Sequence, residues 1–497
     1  MNTLTSTMLS DIQLDKQLSS SLSLQLYEAI RGRVLSRQLV SGTKLASSRV
    51  LAQQLQISRN TVLTAIDQLR AEGYLESRTG SGVWVTSSLP DYHMEPAPAL
   101  SLTKTSAIKT TLSEFGCQLA KMDVDNEPVN HSFSLGVPAL DHFPTDVWQR
   151  LSNRQQELKD PDLLGFTDSL GYLPLRESIR HYLQESRGIN CSTEQILITY
   201  GAQQALDLCA RVLLNRKDMA VVEEPGYHGM KAALTSVGAS IKPCKVDQQG
   251  LNINALRLLK NKPKIIYTTP AHQYPLGQIM PLTRRLQLLE WAATNNCWII
   301  EDDYDSEYHF THRPLPAMQS LAQHEQVIYL GSFSKVLFPA IRLGYLVLPN
   351  NLIKAFTNAK FVSCAETAIH NQIVTASFLQ EGHFKTHLKR MRVLYGERWQ
   401  IIRRECEQQL PHWCELQAEH AGMHVVIIFN KHVDDQKLQN ILAQKQFITH
   451  SLSDFYHGSN KRYGLVLGFA NSSPEQIKQG IATIATALFN NFHNTAP

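Results

Sequence analysis

Apolar residues Leu22, Leu26, Ile30 and Val34 recur at helical spacing and predict an amphipathic helix near the start of the chain. After the turn at Ser41-Gly42, Ser47 is placed to cap a short second helix carrying Leu51, Ala52 and Leu55. A tight connection, Gln56-Ile57, leads to a second capping residue, Ser58, and a third helix over Arg59–Leu69. Val62, Ala65, Ile66 and Leu69 form one apolar stripe on it, which leaves Arg59, Asn60, Thr61 and Thr64 facing away. Tyr74–Val85 then carries two short β-rich runs about a glycine turn, the pattern of a hairpin. Gly80 and Gly82 serve that turn rather than a phosphate loop.

Past Ser87 the periodicity stops. Pro90, Pro96, Pro98 and Pro128 mark residues 87–130 as a linker, within which Leu112–Met122 has the composition of a helix. From residue 131 to 497, β-rich runs alternate with helical patterns: Gln195–Thr199, Met219–Val222, Lys264–Tyr267, Trp298–Glu301 and Val327–Leu330. That alternation predicts an α/β domain with a mostly parallel sheet, followed by a smaller α+β part.

Composition agrees with a folded, multidomain chain. Its 497 residues exceed one modest domain, and 43% hydrophobic against 19% charged residues supply a sizeable core. The eight cysteines form no Cys-x-x-Cys pair, which favours reduced thiols over disulfides or structural zinc. His309 and His312 lack a surrounding ligand cluster, so no metal site is expected. Trp291, Trp298, Trp399 and Trp413 read as core residues. No basic-then-apolar leader and no membrane-length apolar run is present, so a cytoplasmic protein with no membrane partner is expected.

Charge changes the picture at one end. Residues 21–86 hold eight Lys/Arg against four acids, an excess as large as the whole chain's net charge of +4. A basic segment with a short helix, a tight turn and a capped polar-faced helix has helix-turn-helix logic, and double-stranded operator DNA is the expected partner. Four stretches carry a specific likeness: Leu26-Tyr-Glu-Ala-Ile-Arg31, Ala46-Ser-Ser-Arg49-Val-Leu-Ala52, Ile57-Ser-Arg59-Asn-Thr-Val62 and Ala71-Glu-Gly-Tyr74-Leu-Glu-Ser-Arg78-Thr-Gly-Ser-Gly82. By these, residues 20–86 resemble the winged helix-turn-helix of GntR-type regulators. The resemblance implies DNA contacts from Arg49, Ser58, Arg59, Asn60, Thr61 and Thr64, and a backbone contact from Arg78 on the wing.

The strand ends of the larger domain carry a second chemistry, where open α/β sheets bind ligands. In order they are Tyr200-Gly-Ala-Gln203, Glu223-Glu-Pro-Gly-Tyr227, Thr268-Thr-Pro-Ala-His-Gln-Tyr-Pro-Leu-Gly277, Glu301-Asp-Asp-Tyr-Asp305 and Gly331-Ser-Phe-Ser-Lys335, with Arg342 following. Hydroxyls and a guanidinium around one lysine suit a phosphate beside an imine, and nearby positive charge would lower the lysine pKa. Pyridoxal phosphate (PLP) is the cofactor that needs both, with an acidic partner for its ring nitrogen.

This series resembles the fold type I PLP-dependent aminotransferases, and with the winged helix in front the chain resembles the MocR family of GntR-type regulators. The resemblance implies that Lys335 forms the imine and that Asp302, or else Asp303, pairs with the pyridinium nitrogen. It further implies that Tyr304 bonds the ring oxygen, that Tyr227 stacks on the ring, and that Ala202, Gln203, Ser332 and Arg342 hold the phosphate. It also implies a homodimer.

The sequence departs from the aminotransferase pattern in two places, and from amino-acid-responsive members of the regulator family in a third. Tyr274 stands where an asparagine precedes Pro-x-Gly, which makes His272 and Gln273 candidates for that hydrogen bond. Val466 stands where catalytic aminotransferases carry the arginine that clamps a substrate carboxylate. Gly229 stands where a second arginine can occur; Arg462 lies near but out of register. An aliphatic side chain cannot replace a bidentate clamp. The expectation is a regulator, not an enzyme, that senses PLP and controls vitamin B6 metabolism. The alternatives are a sensor of an amino acid or amine, and an aminotransferase with an accessory DNA-binding domain.

Overall fold

A computed structural model describes residues 9, 11–78, 82–87, 111–120, 131–157, 161–165, 167–310, 315–417, 421–430 and 432–492. Gly80, Pro90, Pro96, Pro98, Pro128 and His312 lie outside these residues. Backbone contacts divide the chain into two units, Met1–Thr111 and Leu112–Pro497.

In the first unit, α1 (Leu22–Leu35), α2 (Ser48–Gln54) and α3 (Arg59–Ala71) follow the sequence periodicity. Each starts where a serine hydroxyl accepts an otherwise orphaned backbone N–H: Ser21 from Leu24, Ser47 from Val50, Ser58 from Thr61. Gln56, at φ +52°, makes the turn between α2 and α3 in the left-handed region. The four stripe residues of α3 are its buried ones, packed with Leu26, Ile30 and Leu51. β1 (Leu75–Arg78) and β2 (Gly82–Val85) pair antiparallel as the wing, with Arg78 opposite Gly82.

The second unit is built on an eight-stranded sheet. Its strands are β3 (Ile196–Thr199), β4 (Met219–Glu224), β5 (Ser240–Asp247), β6 (Gly250–Leu251), β7 (Ile265–Thr268), β8 (Trp298–Asp303), β9 (Val327–Ser332) and β10 (Gly344–Val347). Their order is β3-β10-β9-β8-β7-β4-β5-β6. β9, β8, β7, β4 and β5 run parallel, whereas β10 is antiparallel to both β3 and β9. β10, Gly344–Val347, is not among the strands expected from the sequence pattern. The central strands are buried along nearly their whole length, as a sheet covered on both faces requires.

A smaller antiparallel sheet of order β11-β12-β14-β13 follows, from β11 (Cys414–Gln417), β12 (His424–Phe429), β13 (His450–Ser451) and β14 (Gly464–Gly468). Within the suggested Leu112–Met122 stretch, helix covers only Glu114–Leu119. Among the described residues no helix is long and apolar enough to cross a membrane, and all eight cysteines are free thiols.

Because Leu69 is fully buried at the centre of the small first-unit core, Leu69→Ala should cost about 2–5 kcal/mol. Chemical denaturation should show this as a lower midpoint for the first unit's transition, with the second unit's transition unmoved.

Candidate functional site

The first unit presents a polar helix face. Arg49, Ser58, Arg59, Asn60 and Thr64 are exposed and Thr61 half-buried, as the stripe on α3 demands. Several of them are already engaged: the Thr64 hydroxyl donates to Asn60 O at 3.0 Å, and the Thr61 and Ser58 hydroxyls lie 2.8 Å apart. The Ser58 hydroxyl caps α3, and Arg59 donates from Nε to the Ser48 hydroxyl at 3.2 Å, which fixes its guanidinium across the starts of α2 and α3. Arg78, expected from sequence to make a backbone contact, is paired within the wing. Its guanidinium donates twice to Glu76 Oε1, at 2.9 and 2.7 Å, and lies 4.8 Å from the Trp84 ring centroid. Lys44 flanks the same ring at 5.5 Å.

In the second unit, five strand ends converge on one cavity. Tyr227, Thr269, Asp302, Tyr304, Ser332 and Lys335 all border it, joined by Gly136 and His424 from distant parts of the chain. The Lys335 amine donates to Gly136 O at 3.1 Å. Gly136 has φ +65°, and a Cβ there would stand 2.0 Å from the amine nitrogen, so only glycine leaves room. Burial lowers the Lys335 pKa; Asp305 and Asp302 oppose that, and Arg342 adds a smaller push downward. Desolvation therefore outranks the neighbouring positive charge invoked from sequence.

Asp302 and Asp303 are adjacent on β8 and point to opposite faces. Asp303 faces away from the cavity: its Oδ2 accepts from Arg187 Nε at 2.8 Å and from the Tyr329 hydroxyl at 2.6 Å. Burial pushes its pKa up, but the Arg187 guanidinium and these hydrogen bonds outweigh it and hold it below the usual carboxylate range. Asp302 borders the cavity. Its Oδ2 accepts from the Tyr267 hydroxyl at 2.7 Å, while Oδ1 is buried without a hydrogen-bond partner. Burial pushes its pKa up to about 7, against the Tyr267 hydrogen bond. A buried carboxylate oxygen left open is costly, and a protonated ring nitrogen would complete it.

The other end of the cavity suits an anion. Ala202 borders it in the first turn of the helix Gly201–Leu213, whose N-terminal amides and dipole favour negative charge. Arg342 donates from Nη2 to Tyr200 O at 3.2 Å, beside the same helix start, and Ser332 offers a hydroxyl. Gln203 turns to Gly229 O, at 2.9 Å. The tyrosines form an edge-on series, Tyr227 to Tyr274 at 5.7 Å and Tyr274 to Tyr304 at 5.6 Å between ring centroids.

Gln273 is not brought to the cavity. Its amide nitrogen donates to Glu223 Oε2, Pro225 O and Tyr274 O, and its oxygen accepts from Leu276 N, so it fastens two loops and has nothing left for a ligand. Val466 is fully buried on β14 opposite Val426, packed with Leu276, Ile428 and Phe455. Arg462 is exposed before that strand begins. Gly229 has no space for a side chain, since a Cβ would stand 2.3 Å from the Tyr227 ring and 2.4 Å from Gln203 Oε1.

Tyr267, Thr269, Asp305, Gly136 and His424 border the cavity without having been assigned from sequence. Tyr267 could have been found, because it ends a strand run already under scrutiny. Gly136 and His424 carry no local signal; Gly136 meets Lys335 across 199 residues.

Comparison with known proteins bears on both units. Residues 22–85 match the family described as bacterial regulatory proteins, gntR family, and residues 131–484 match aminotransferase class I and II. The chain is 37% identical to a probable rhizopine catabolism regulatory protein, MocR, of Rhizobium meliloti, over 96% of this chain and 95% of that one. It is 30% identical to the pyridoxine biosynthesis transcriptional regulator PdxR of Corynebacterium glutamicum, over 96% of this chain and 98% of the relative. The second unit is similar to the crystal structure of a Pyrococcus horikoshii kynurenine aminotransferase in complex with PMP. Their TM-score is 0.71 at 26% identity, covering 77% of this chain and 97% of that one. The aminotransferase domain and the open Asp302 oxygen agree on one cofactor, pyridoxal phosphate.

Two outcomes are expected. Borohydride reduction of the holo protein followed by peptide mapping should place the cofactor on Lys335, and Gly136→Ala should abolish cofactor retention by crowding that amine. In the first unit, Arg59→Ala should weaken operator binding in a gel-shift titration by about 1–3 kcal/mol if a base contact is lost, whereas substitution of exposed Arg70 at the far end of α3 should leave it unchanged.

Proposed function

Because the chain belongs to the MocR-type regulators of the GntR family, we propose that it is a transcription regulator whose effector is pyridoxal phosphate itself and whose targets serve vitamin B6 metabolism. The observation that carries this reading is Val466. Fully buried in an apolar cluster, it leaves no cation where a substrate carboxylate would be clamped. Gly229 removes the second possible clamp for want of space. The pyridoxine biosynthesis regulator among the relatives supports the same assignment.

In this reading Lys335 supplies the amine that bonds the cofactor, and Asp302 holds the proton on the ring nitrogen. Asp303 is committed to Arg187 and serves the fold. Tyr304 faces the ring oxygen, and Tyr227 covers one ring face. Ser332, Arg342 and the amides at Ala202 and Gln203 hold the phosphate. The cofactor, when bound, supplies an electron-withdrawing ring and a carbonyl that condenses with a primary amine. The remaining residues exclude water and fix orientation, and no residue in the cavity is left to grip an amino donor. Residues 20–86 read the operator and residues 87–130 link them to residues 131–497. Two copies supply the paired recognition helices that symmetric half-sites require.

A second reading has one observation in its favour, the relative named for rhizopine catabolism. It takes an amine joined to the cofactor as the signal. The third, an aminotransferase with an accessory DNA-binding module, lacks a carboxylate clamp.

A ligand shifts a conformational equilibrium only by its differential affinity for the two states. Operator binding by the stripped full-length chain should therefore change when pyridoxal phosphate is added. It should stay constant when amino acids, γ-amino acids or other amines are added to the loaded chain. A switch produced by an amine and not by the cofactor would overturn the vitamin B6 reading and establish the second one.

A further inference from the structure

The polar cluster behind Tyr304 has no place in the assignments above. His272 Nδ1 lies 3.2 and 3.1 Å from the two oxygens of Asp305, and 3.0 Å from the Tyr304 hydroxyl. Both His272 and Asp305 are buried, with side chains 3% and 0% exposed. Gly422, at φ +78°, packs directly on the pair. A Cβ there would stand 2.2 Å from His272 Cε1 and 2.8 Å from Asp305 Oδ2, so backbone walls the pair in with no room for it to move.

This geometry decides which way the Tyr304 proton points. A carboxylate only accepts, so Nδ1 carries a proton and donates it to Asp305. A protonated nitrogen cannot accept from Tyr304. The single phenolic proton must then be spent elsewhere, and the open direction is the cavity. Were Nδ1 bare, Tyr304 would donate to it and turn lone pairs toward the ligand. We propose that His272 and Asp305 are positioning residues that fix the His272 tautomer and thereby aim the Tyr304 hydroxyl as a hydrogen-bond donor at the cofactor's ring oxygen. They take the place of the asparagine that Tyr274 displaces, acting through Tyr304 instead of on the ring.

The surroundings allow this. The charged and titratable groups near Tyr304 are Asp302 on β8, Glu223 on β4, Lys335 after β9, Tyr274 after β7 and His424 on β12. His424 donates from Nε2 to Pro275 O at 2.8 Å, and burial lowers its pKa to about 4, so it stays neutral. Glu223 is held by Thr268, Thr269 and Gln273. Asp305 is thus the carboxylate in contact with His272.

The inference rests on Lys335 being the amine joined to the cofactor. A hydrogen bond donated to the ring oxygen most stabilises the form lacking a proton on the neighbouring nitrogen, so its loss raises the pH midpoint of the cofactor's absorbance. The test is an absorbance titration of the loaded full-length chain against pH, for wild type, Tyr304→Phe, His272→Asn and the double variant. Both single variants should move the midpoint up by about 0.7 unit, the shift for a hydrogen bond of ordinary net strength. The double variant should match Tyr304→Phe. An unmoved midpoint in His272→Asn, or additive shifts in the double variant, overturns the relay while leaving the Lys335 assignment standing. A wild-type absorbance that does not titrate, together with label on another lysine, overturns both. Nitrogen NMR of labelled histidine in the wild-type holo protein decides independently of the variants: a protonated Nδ1 on His272 supports the relay, and a bare one overturns it.

Discussion

The second unit is organised around a carboxylate that the fold buries and leaves half satisfied. Asp302 sits in mid-sheet with one oxygen bonded to Tyr267 and the other bonded to nothing. Burying such an oxygen without a donor costs free energy, and Asp302, unlike its neighbour Asp303, borders the cavity. Its neighbours follow from that. Asp303 must turn to the opposite face and needs Arg187 to be tolerable there. The Lys335 amine, desolvated in the same cavity, needs the bare backbone of Gly136 beside it.

Much of this was legible in the residue pattern. In the first unit the three helices, two of their three serine caps and the buried stripes could be read, because short amphipathic helices and serine caps are local effects. In the second, the five strand ends and Lys335 followed from alternation and order. What escaped was set by long-range contact. β10 runs against the otherwise parallel alternation, lying antiparallel between β3 and β9. Gln273 looked free in sequence, but in the structure its amide holds two loops together. The choice between Asp302 and Asp303 needed the positions of Arg187 and Tyr267, which no local pattern encodes.

Tyrosines, carboxylates and Lys335 line the cavity, whereas Val466 lies in apolar packing. Val466 is part of a packed apolar cluster, so a cation at that position would have to be buried without a partner, at several kcal/mol. Placing an arginine there would take more than one substitution, since the cluster around it would have to be rebuilt as well.

The wing carries its own counter-ion. Arg78 is neutralised by Glu76 and lies against Trp84 before any DNA arrives. Drawing that guanidinium to any outside anion would leave Glu76 bare to recruit a cation, so the ionic bookkeeping of such an exchange nearly cancels. The wing is thereby muted as a source of indiscriminate electrostatic attraction.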